Sequence, residues 1–373
     1  MSVVTVSLVE ERAVMAGGST EADRAAFVQA PAAEQVAGPS PKAGNGGRAG
    51  ERTIVAASCS DAACRGPLAC WSRGCELQID SPRRLPRNRR SISRDAEARG
   101  RARAMEHRIE VTCTEGVASV RLDRAAKRNA IDADMCWALA EVGERLGKDR
   151  SVRAVVISGS GKSFCAGLDR AGLEALSSGR SFLPFTDLTK RSHGMANWVQ
   201  HIVLQWRELP VPVIAAVHGD VFGGGFQLAL GADMRFSDAD ARFAVLEGKW
   251  GLVPDMAGTL LMRQLAREDI VRELTFTARV FSAEEAQGYG FVTRIVPDPH
   301  AEAMETARTI AGLSPDAVRA AKRLLNGALL GSAAESLEAE TREQERLLGS
   351  PNQVEALEAM REKRPPRFGG PRL

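Results

Sequence analysis

The chain has 373 residues, 44% apolar and 26% charged, enough to bury a sizeable core as one large α/β domain or two to three smaller ones. A net charge of +3 is too small to argue for a polyanionic partner, so nucleic acid is not expected. No apolar run reaches the roughly eighteen residues of a membrane helix, and the start, MSVVTVSLVEERAVMAGG, carries Glu10 and Glu11 where a secretory signal needs a basic start and an unbroken apolar core.

Seven cysteines at irregular spacing fit a reducing compartment, and the expected location is cytoplasmic. Residues 1–104 are rich in Ala, Gly, Ser, Pro and Arg and lack a period of either 2 or 3.6 residues. Too little surface can be buried there to offset ordering entropy, so a disordered N-terminal extension is expected, or a segment preceding a true start at Met105. Cys59, Cys64, Cys70 and Cys75 cluster in it, but their spacing lacks the two-residue knuckles of zinc sites and no histidine is near. The arginines from Arg83 to Arg103 read as a solvated charge run; contact with nucleic acid or an acidic surface is the other reading.

From Met105 the pattern changes. HRIEVTCTEGVASVRLD alternates apolar and polar residues around Thr114-Glu115-Gly116, which predicts a hairpin. Asp132 is placed to cap an amphipathic helix, with Met135, Leu139, Val142 and Leu146 on one face. RAVVISGSG reads as a short apolar strand running into glycines. GMANWVQHIVLQWREL reads as a helix closed by Pro210 and Pro212, and VIAAVHG as a buried strand. MRFSD and RFAVLE look like further strands. From about residue 256 the chain reads as nearly all helical: MAGTLLMRQLA, SAEEAQGYG, DPHAEAMETARTIAGL, SPDAVRAAKRLLNGALL and AAESLEAETREQERLLGS. Interleaved strands and helices followed by helices alone suggest an α/β, ββα-type core over residues 105–300 and a helical region over 301–373.

Two stretches carry chemistry. VHGDVFGGGFQLALGADMRF places three glycines at the entrance of a helix, where backbone N–H groups can approach a ligand without Cβ atoms in the way. The Lys-Ser/Thr pair and the longer glycine spacing of nucleotide-binding loops are both missing. Upstream, SGSGKSFCAGLDRAGL makes a second strand-to-helix turn at Ala166-Gly167. One N–H from each turn could converge on one carbonyl oxygen; such an oxyanion hole is worth about 3–4 kcal/mol per donor.

With VRLDRAAKRNAID, FAVLEGKWGLVPDMAGT and FSAEEAQGYGFVTRIV, these stretches make the chain from about Glu106 to Phe368 resemble the enoyl-CoA hydratase/isomerase (crotonase) superfamily, in the family order. The resemblance implies a crotonase-like ββα spiral core. It also implies that the N–H groups of Ala166 and Gly224 bind the thioester oxygen of an acyl-CoA, with Gly167, Leu168, Asp169 and Gly223 around it. Lys127 and Arg128 would lie near the CoA phosphates, a solvated basic turn being the alternative. Coenzyme A then arrives as part of the substrate and no separate cofactor is expected. Assembly as a homotrimer or hexamer through the C-terminal helices is implied. The acyl pocket is expected to draw on the segment from Asp169 to Gln200.

The same resemblance bears on the reaction. Hydratases of the family use two glutamates; the first falls on Gln227 and the second on Glu247. An amide has no acid–base function near neutral pH, although it can hold a water by hydrogen bonds. Single-glutamate isomerases keep the Glu247 position, and the dienoyl-CoA isomerases carry an aspartate matching Asp255. Double-bond isomerisation with Glu247 as proton shuttle, helped by Asp255, is therefore expected ahead of hydration by Glu247 with Gln227 orienting water. A non-catalytic acyl-CoA- or RNA-binding role is the reading of another class. From local sequence alone, Glu247 could equally pair with Lys249 or Arg242, and Asp255 could cap the following helix. The five histidines form no pattern with spaced carboxylates, so no metal site is expected.

Overall fold

Glu115 and Gly116 both take positive φ, 51° and 79°, the backbone that a two-residue hairpin needs. They join β1 (Ile109–Thr114) to β2 (Val117–Leu122) as antiparallel partners. The computed structural model describes residues 108–178, 187–329 and 331–372. The expected disordered extension, its cysteine cluster, its arginine run and the middle of the expected acyl pocket wall, residues 179–186, lie outside the described residues.

Asp132 caps α1 (Ala133–Lys148) by accepting the Met135 N–H at 2.8 Å. Its carboxylate also pairs with Arg108 at 2.9 Å and Arg124 at 3.3 Å, so one side chain ties the helix start to the hairpin and to the turn after it. Then come β3 (Ala154–Gly159), α2 (Arg170–Ser177), α3 (Trp198–Glu208), β4 (Val213–Val217), β5 (Asp220–Phe222) and α4 (Gly224–Leu230). After them run β6 (Met234–Ser237), β7 (Arg242–Ala244), α5 (Gly258–Met262), α6 (Glu268–Thr277), β8 (Val280–Ser282), α7 (Ala283–Tyr289) and β9 (Arg294–Ile295). Four helices end the chain: α8 (Pro299–Ala311), α9 (Pro315–Ala328), α10 (Ala333–Leu347) and α11 (Pro351–Glu362).

The main sheet runs β1-β2-β3-β4-β6-β9, parallel except for the first pair, and a small sheet runs β5-β7-β8. β3 and β4 are buried along nearly their whole length, which is why they read as unbroken apolar runs. One face of the main sheet packs against Ala303, Ala307 and Ala311 of α8, small residues at i, i+4 and i+8 that let helix and sheet approach closely. The other face carries the larger core, including Met135, Leu139, Ile202 and Trp206.

Several elements differ from what the periodicity predicts. Helix α8, expected to straddle the boundary at residue 300, covers the sheet and so belongs to the core. α6 and α11 carry no signal that the periodicity picked out, and the short strands β8 and β9 interrupt the region read as all-helical. The expected strand RFAVLE ends at Ala244, and Glu247 opens a 3-10 turn, Glu247–Trp250. Among the described residues, no helix is long and apolar enough to cross a membrane.

Replacing Asp132 by Ala removes the cap together with both ion pairs and is expected to cost about 1–2 kcal/mol in urea unfolding. Asp132→Asn keeps a capping oxygen and should lose only part of that.

Candidate active site

β3 and β4 are parallel neighbours, so their carboxyl ends open on the same edge and the two turns that follow them must meet there. Backbone bonds stitch the turns together: Phe164 N–H to the His218 carbonyl at 2.8 Å, Cys165 N–H to Asp220 at 3.1 Å, and Phe222 N–H to Cys165 at 3.0 Å. Fully buried Asn129 adds a side-chain staple, its amide donating to the Ser160 and Ser163 carbonyls, both at 2.8 Å. Gly167 has φ 88°, and a Cβ on it would lie 2.7 Å from the Phe222 oxygen and 3.6 Å from the Gly224 nitrogen. Only glycine allows that approach.

Of the two N–H groups expected to point at this meeting place, Gly224's is free and Ala166's is not. The Ala166 N–H is engaged, donating to the Arg128 carbonyl at 2.9 Å. Leu168 is the residue whose N–H stands free. It forms a parallel bridge with Ile131, in which Ile131 N–H donates to Gly167 and Asp169 N–H donates to Ile131. That pattern turns Leu168's own N–H to the side away from Ile131. Neither the Leu168 nor the Gly224 N–H has an acceptor among the described residues. The free N–H groups where the turns meet are thus those of Leu168 and Gly224, and Ala166 is a fastener; the pleat, invisible in the residue order, separates them. Gly223 spends its N–H on the Ala244 carbonyl at 2.9 Å and brings its backbone beside Glu247.

Gln227, on α4, is buried and hydrogen-bonded at both the oxygen and the nitrogen of its amide. Its Oε1 accepts the N–H groups of Met256 and Gly258, both at 2.9 Å, and its Nε2 donates to Glu247 Oε1 at 2.6 Å. Glu247 is 8% exposed, so the surface ion pair that local sequence allowed does not form; Arg242 pairs with Asp220 instead. Glu247 Oε2 is buried with no hydrogen-bond partner. Burial pushes this carboxyl above the ordinary glutamate range, outweighing the bond from Gln227, and nearby Asp255 pushes the same way. Asp255 lies on the accessible surface, yet desolvation by its surroundings raises its carboxyl too. It does not cap α5: Ala257 holds the cap position and no side chain bonds there.

The other expected site residues divide between fastening and exposure. Asp169 caps α2 through the Ala171 N–H at 2.8 Å and pairs with Arg124, which makes it part of the scaffold. Arg128, itself exposed, reaches Asp220 at 2.7 Å. Asp220 is a buried carboxylate held by two arginines, and no spacing in the sequence marks it. Lys127 is exposed and has no ion pair among the described residues. Burial pushes the Cys165 thiol to about 12, so it stays protonated and is no nucleophile. Elsewhere, the fold gathers His193, His201 and Glu144, a grouping absent from the sequence order.

Residues 112–371 match the enoyl-CoA hydratase/isomerase family. The chain is 31% identical over 258 residues to "Probable enoyl-CoA hydratase 2, mitochondrial" of Arabidopsis thaliana, covering 68% of this chain and 82% of that one. It is 36% identical over 233 residues to human "Delta(3,5)-Delta(2,4)-dienoyl-CoA isomerase, mitochondrial", covering 59% and 69%. The crystal structure of enoyl-CoA hydratase from Bacillus anthracis superposes with a TM-score of 0.62 at 28% identity, covering 70% of this chain and 98% of that one. The crotonase-type α/β core with a helical C-terminal region, expected from the sequence, is the observed fold.

Gln227→Ala strands Glu247 Oε1 and two backbone N–H groups, and each buried orphan is expected to cost about 1–3 kcal/mol in chemical denaturation. Gln227→Glu keeps the two N–H bonds but sets a second carboxyl against Glu247. That raises the pH at which the pair ionises, so this variant should lose stability as pH rises, read as a falling Tm.

Proposed function

The chain belongs to the enoyl-CoA hydratase/isomerase family and is an enzyme of acyl-CoA chemistry; from that premise we propose that it shifts a double bond in an enoyl-CoA, with Glu247 as the proton shuttle. The Leu168 and Gly224 N–H groups take the thioester oxygen and stabilise the negative charge that develops on it. Glu247 removes a proton from C2 of a 3-enoyl-CoA, leaving a dienolate. The same carboxyl returns the proton at C4, and the double bond then lies between C2 and C3. Coenzyme A is carried by the substrate and no other cofactor takes part.

The observation that carries this reading is the division of Glu247 into two unlike oxygens. Oε1 is held by Gln227, which fixes the carboxyl plane, while Oε2 is buried and bare. A raised pKa suits a group that must accept and return one proton near neutral pH. Gln227 already receives two N–H bonds at its oxygen, so it cannot also accept a proton from an attacking water; its role is to position Glu247. Isomerisation is therefore favoured over hydration. Asp255, near enough to raise Glu247, is assigned to help hold the shuttled proton on that carboxyl. Lys127 and Arg128 are assigned to the CoA phosphates. Homotrimer or hexamer assembly is supported by the exposed Leu325, Leu329 and Leu337 around the α9–α10 corner, and cytoplasmic residence completes the reading.

The test is to incubate the purified chain with 3-enoyl-CoA and with 2-enoyl-CoA and identify the products. Conversion of the 3-enoyl to the 2-enoyl thioester is expected, and 3-hydroxyacyl-CoA forming from the 2-enoyl substrate at a comparable rate would overturn the assignment. Glu247→Gln should lower kcat by about 10²- to 10⁴-fold with acyl-CoA binding retained. In the parent, kcat/KM should rise with pH along an acid limb displaced above the usual glutamate value of about 4.3. A raised carboxyl pKa means the folded state loses stability as pH climbs from the ordinary value through the raised one. Glu247→Gln should accordingly raise Tm at neutral pH while it removes turnover.

A further inference from the structure

We propose that Ile131 is a positioning residue of the candidate active site: its backbone sets the direction of the Leu168 N–H, its side chain sets the place of Gly224, and one residue thereby fixes the spacing of the two donors. The proposal rests on the reading that these N–H groups take a thioester oxygen, and it holds whichever way protons move afterwards.

Ile131 lies between the turn that follows β2 and Asp132, the cap of α1. Both of its backbone groups go to the first of the converging turns. Its N–H donates to the Gly167 carbonyl at 2.8 Å, and its carbonyl accepts the Asp169 N–H at 2.9 Å. These bonds bracket Leu168, so the peptide that carries its N–H cannot rotate without breaking one of them. The side chain goes to the second turn. A Cβ on Gly224 would lie 3.3 Å from Ile131 Cδ1 and 3.0 Å from Met256 Sδ, so the Gly224 backbone rests against these two side-chain ends. Ile131 is 1% exposed and belongs to the main core, and a β-branched side chain packed there has no second rotamer to swing into.

Arg124 holds the joint from its other side. Its guanidinium donates to the Ala130 carbonyl at 3.1 Å and pairs with Asp132 at 3.3 Å and with Asp169. Both chain neighbours of Ile131 and the residue after Leu168 are thus tied to one cation. The other bonds between the turns, at Phe164, Cys165 and Phe222, all precede the donors in the chain. Among the described residues, no backbone hydrogen bond joins 167–169 to 223–225, and Ile131 supplies that link. An oxyanion needs both donors at about 2.7–3.1 Å from one developing charge, so their spacing is felt most strongly in the transition state.

The test uses the full chain and a saturated acyl-CoA, isotope-labelled at the thioester carbon, which binds without reacting. Infrared difference spectra read its carbonyl stretch. In the parent the bound band should lie below that of the free thioester, because the N–H donors polarise the carbonyl. Ile131→Val deletes Cδ1, the atom that meets Gly224, and keeps the backbone bridge. It should return part of the band shift and lower kcat on the enoyl-CoA substrate about 10-fold, with KM held within about 2-fold. Ile131→Ala should deepen both effects. Ile202→Val deletes the same methyl group from α3 in the same core; it should lower Tm to a similar degree while keeping the parent's band and kcat. A parent-like band and kcat in Ile131→Val, or equal losses in Ile202→Val, would overturn the proposal. A parent band at the free frequency would overturn the donor pair and the proposal with it. Hydration of the enoyl substrate would overturn only the reaction assigned above, since the saturated probe still reports on the donors.

Discussion

The arrangement of the site depends on one buried amide. Gln227 joins three pieces of chain that share no secondary structure: α4, which carries it; the Met256–Gly258 turn, whose N–H groups it accepts; and the 3-10 turn at Glu247, to which it donates. An amide can do this because it offers both an acceptor and a donor on one planar group. A carboxylate at the same place would hold the two N–H groups but would meet Glu247 with like charge. The choice of glutamine therefore fixes the geometry of Glu247 and leaves no second carboxylate in contact with it at that position.

Several other charges of the interior are fastened by partners. Lys322 is buried and donates to the Trp206 and Val211 carbonyls and to Asp233. Arg235, drawn down to about 10 by burial, still donates to the Phe291 and Ala232 carbonyls. Asp220 is shared by two arginines. These groups fasten strands and helices, and each has enough partners to offset its desolvation. Glu247 Oε2 has none. Asp238 Oδ1 is bare as well, but Glu247 Oε2 lies beside the glycine turn at Gly223, which marks it as the place where a ligand completes the bonding.

The turns around it follow from topology. Parallel strands side by side deliver their loops to one edge, and once β3 and β4 are neighbours the glycines at 167 and 223–225 become the condition for the loops to touch. The energy for this convergence comes from the strands, whose buried apolar residues build the core on both faces of the sheet. The loops add backbone hydrogen bonds, and the first of them buries Phe164 and Cys165 in the same core.

Much of this was legible in the residue order. The hairpin at Glu115-Gly116, the Asp132 cap, the apolar runs of β3 and β4, and the glycines before α4 all depend on local physics: allowed φ, an orphan N–H, a periodicity. The family resemblance, carried by five ordered segments, reached the fold and brought Gln227 and Glu247 into view. Other features depended on contacts between distant segments. Ala166 and Leu168 are equally plausible donors in a string of letters; the bridge to Ile131 turns one inward and leaves the other fastened to Arg128. Glu247 reads as a surface partner of Arg242 until burial removes water from it and Asp220 takes the arginine. His193, His201 and Glu144 have no common spacing and meet only because α1 and α3 pack together. Sequence determined which segments can form and where backbone donors are offered. Tertiary structure alone decided which donors and carboxylates remain unsatisfied, because satisfaction is a property of neighbours and not of residue order.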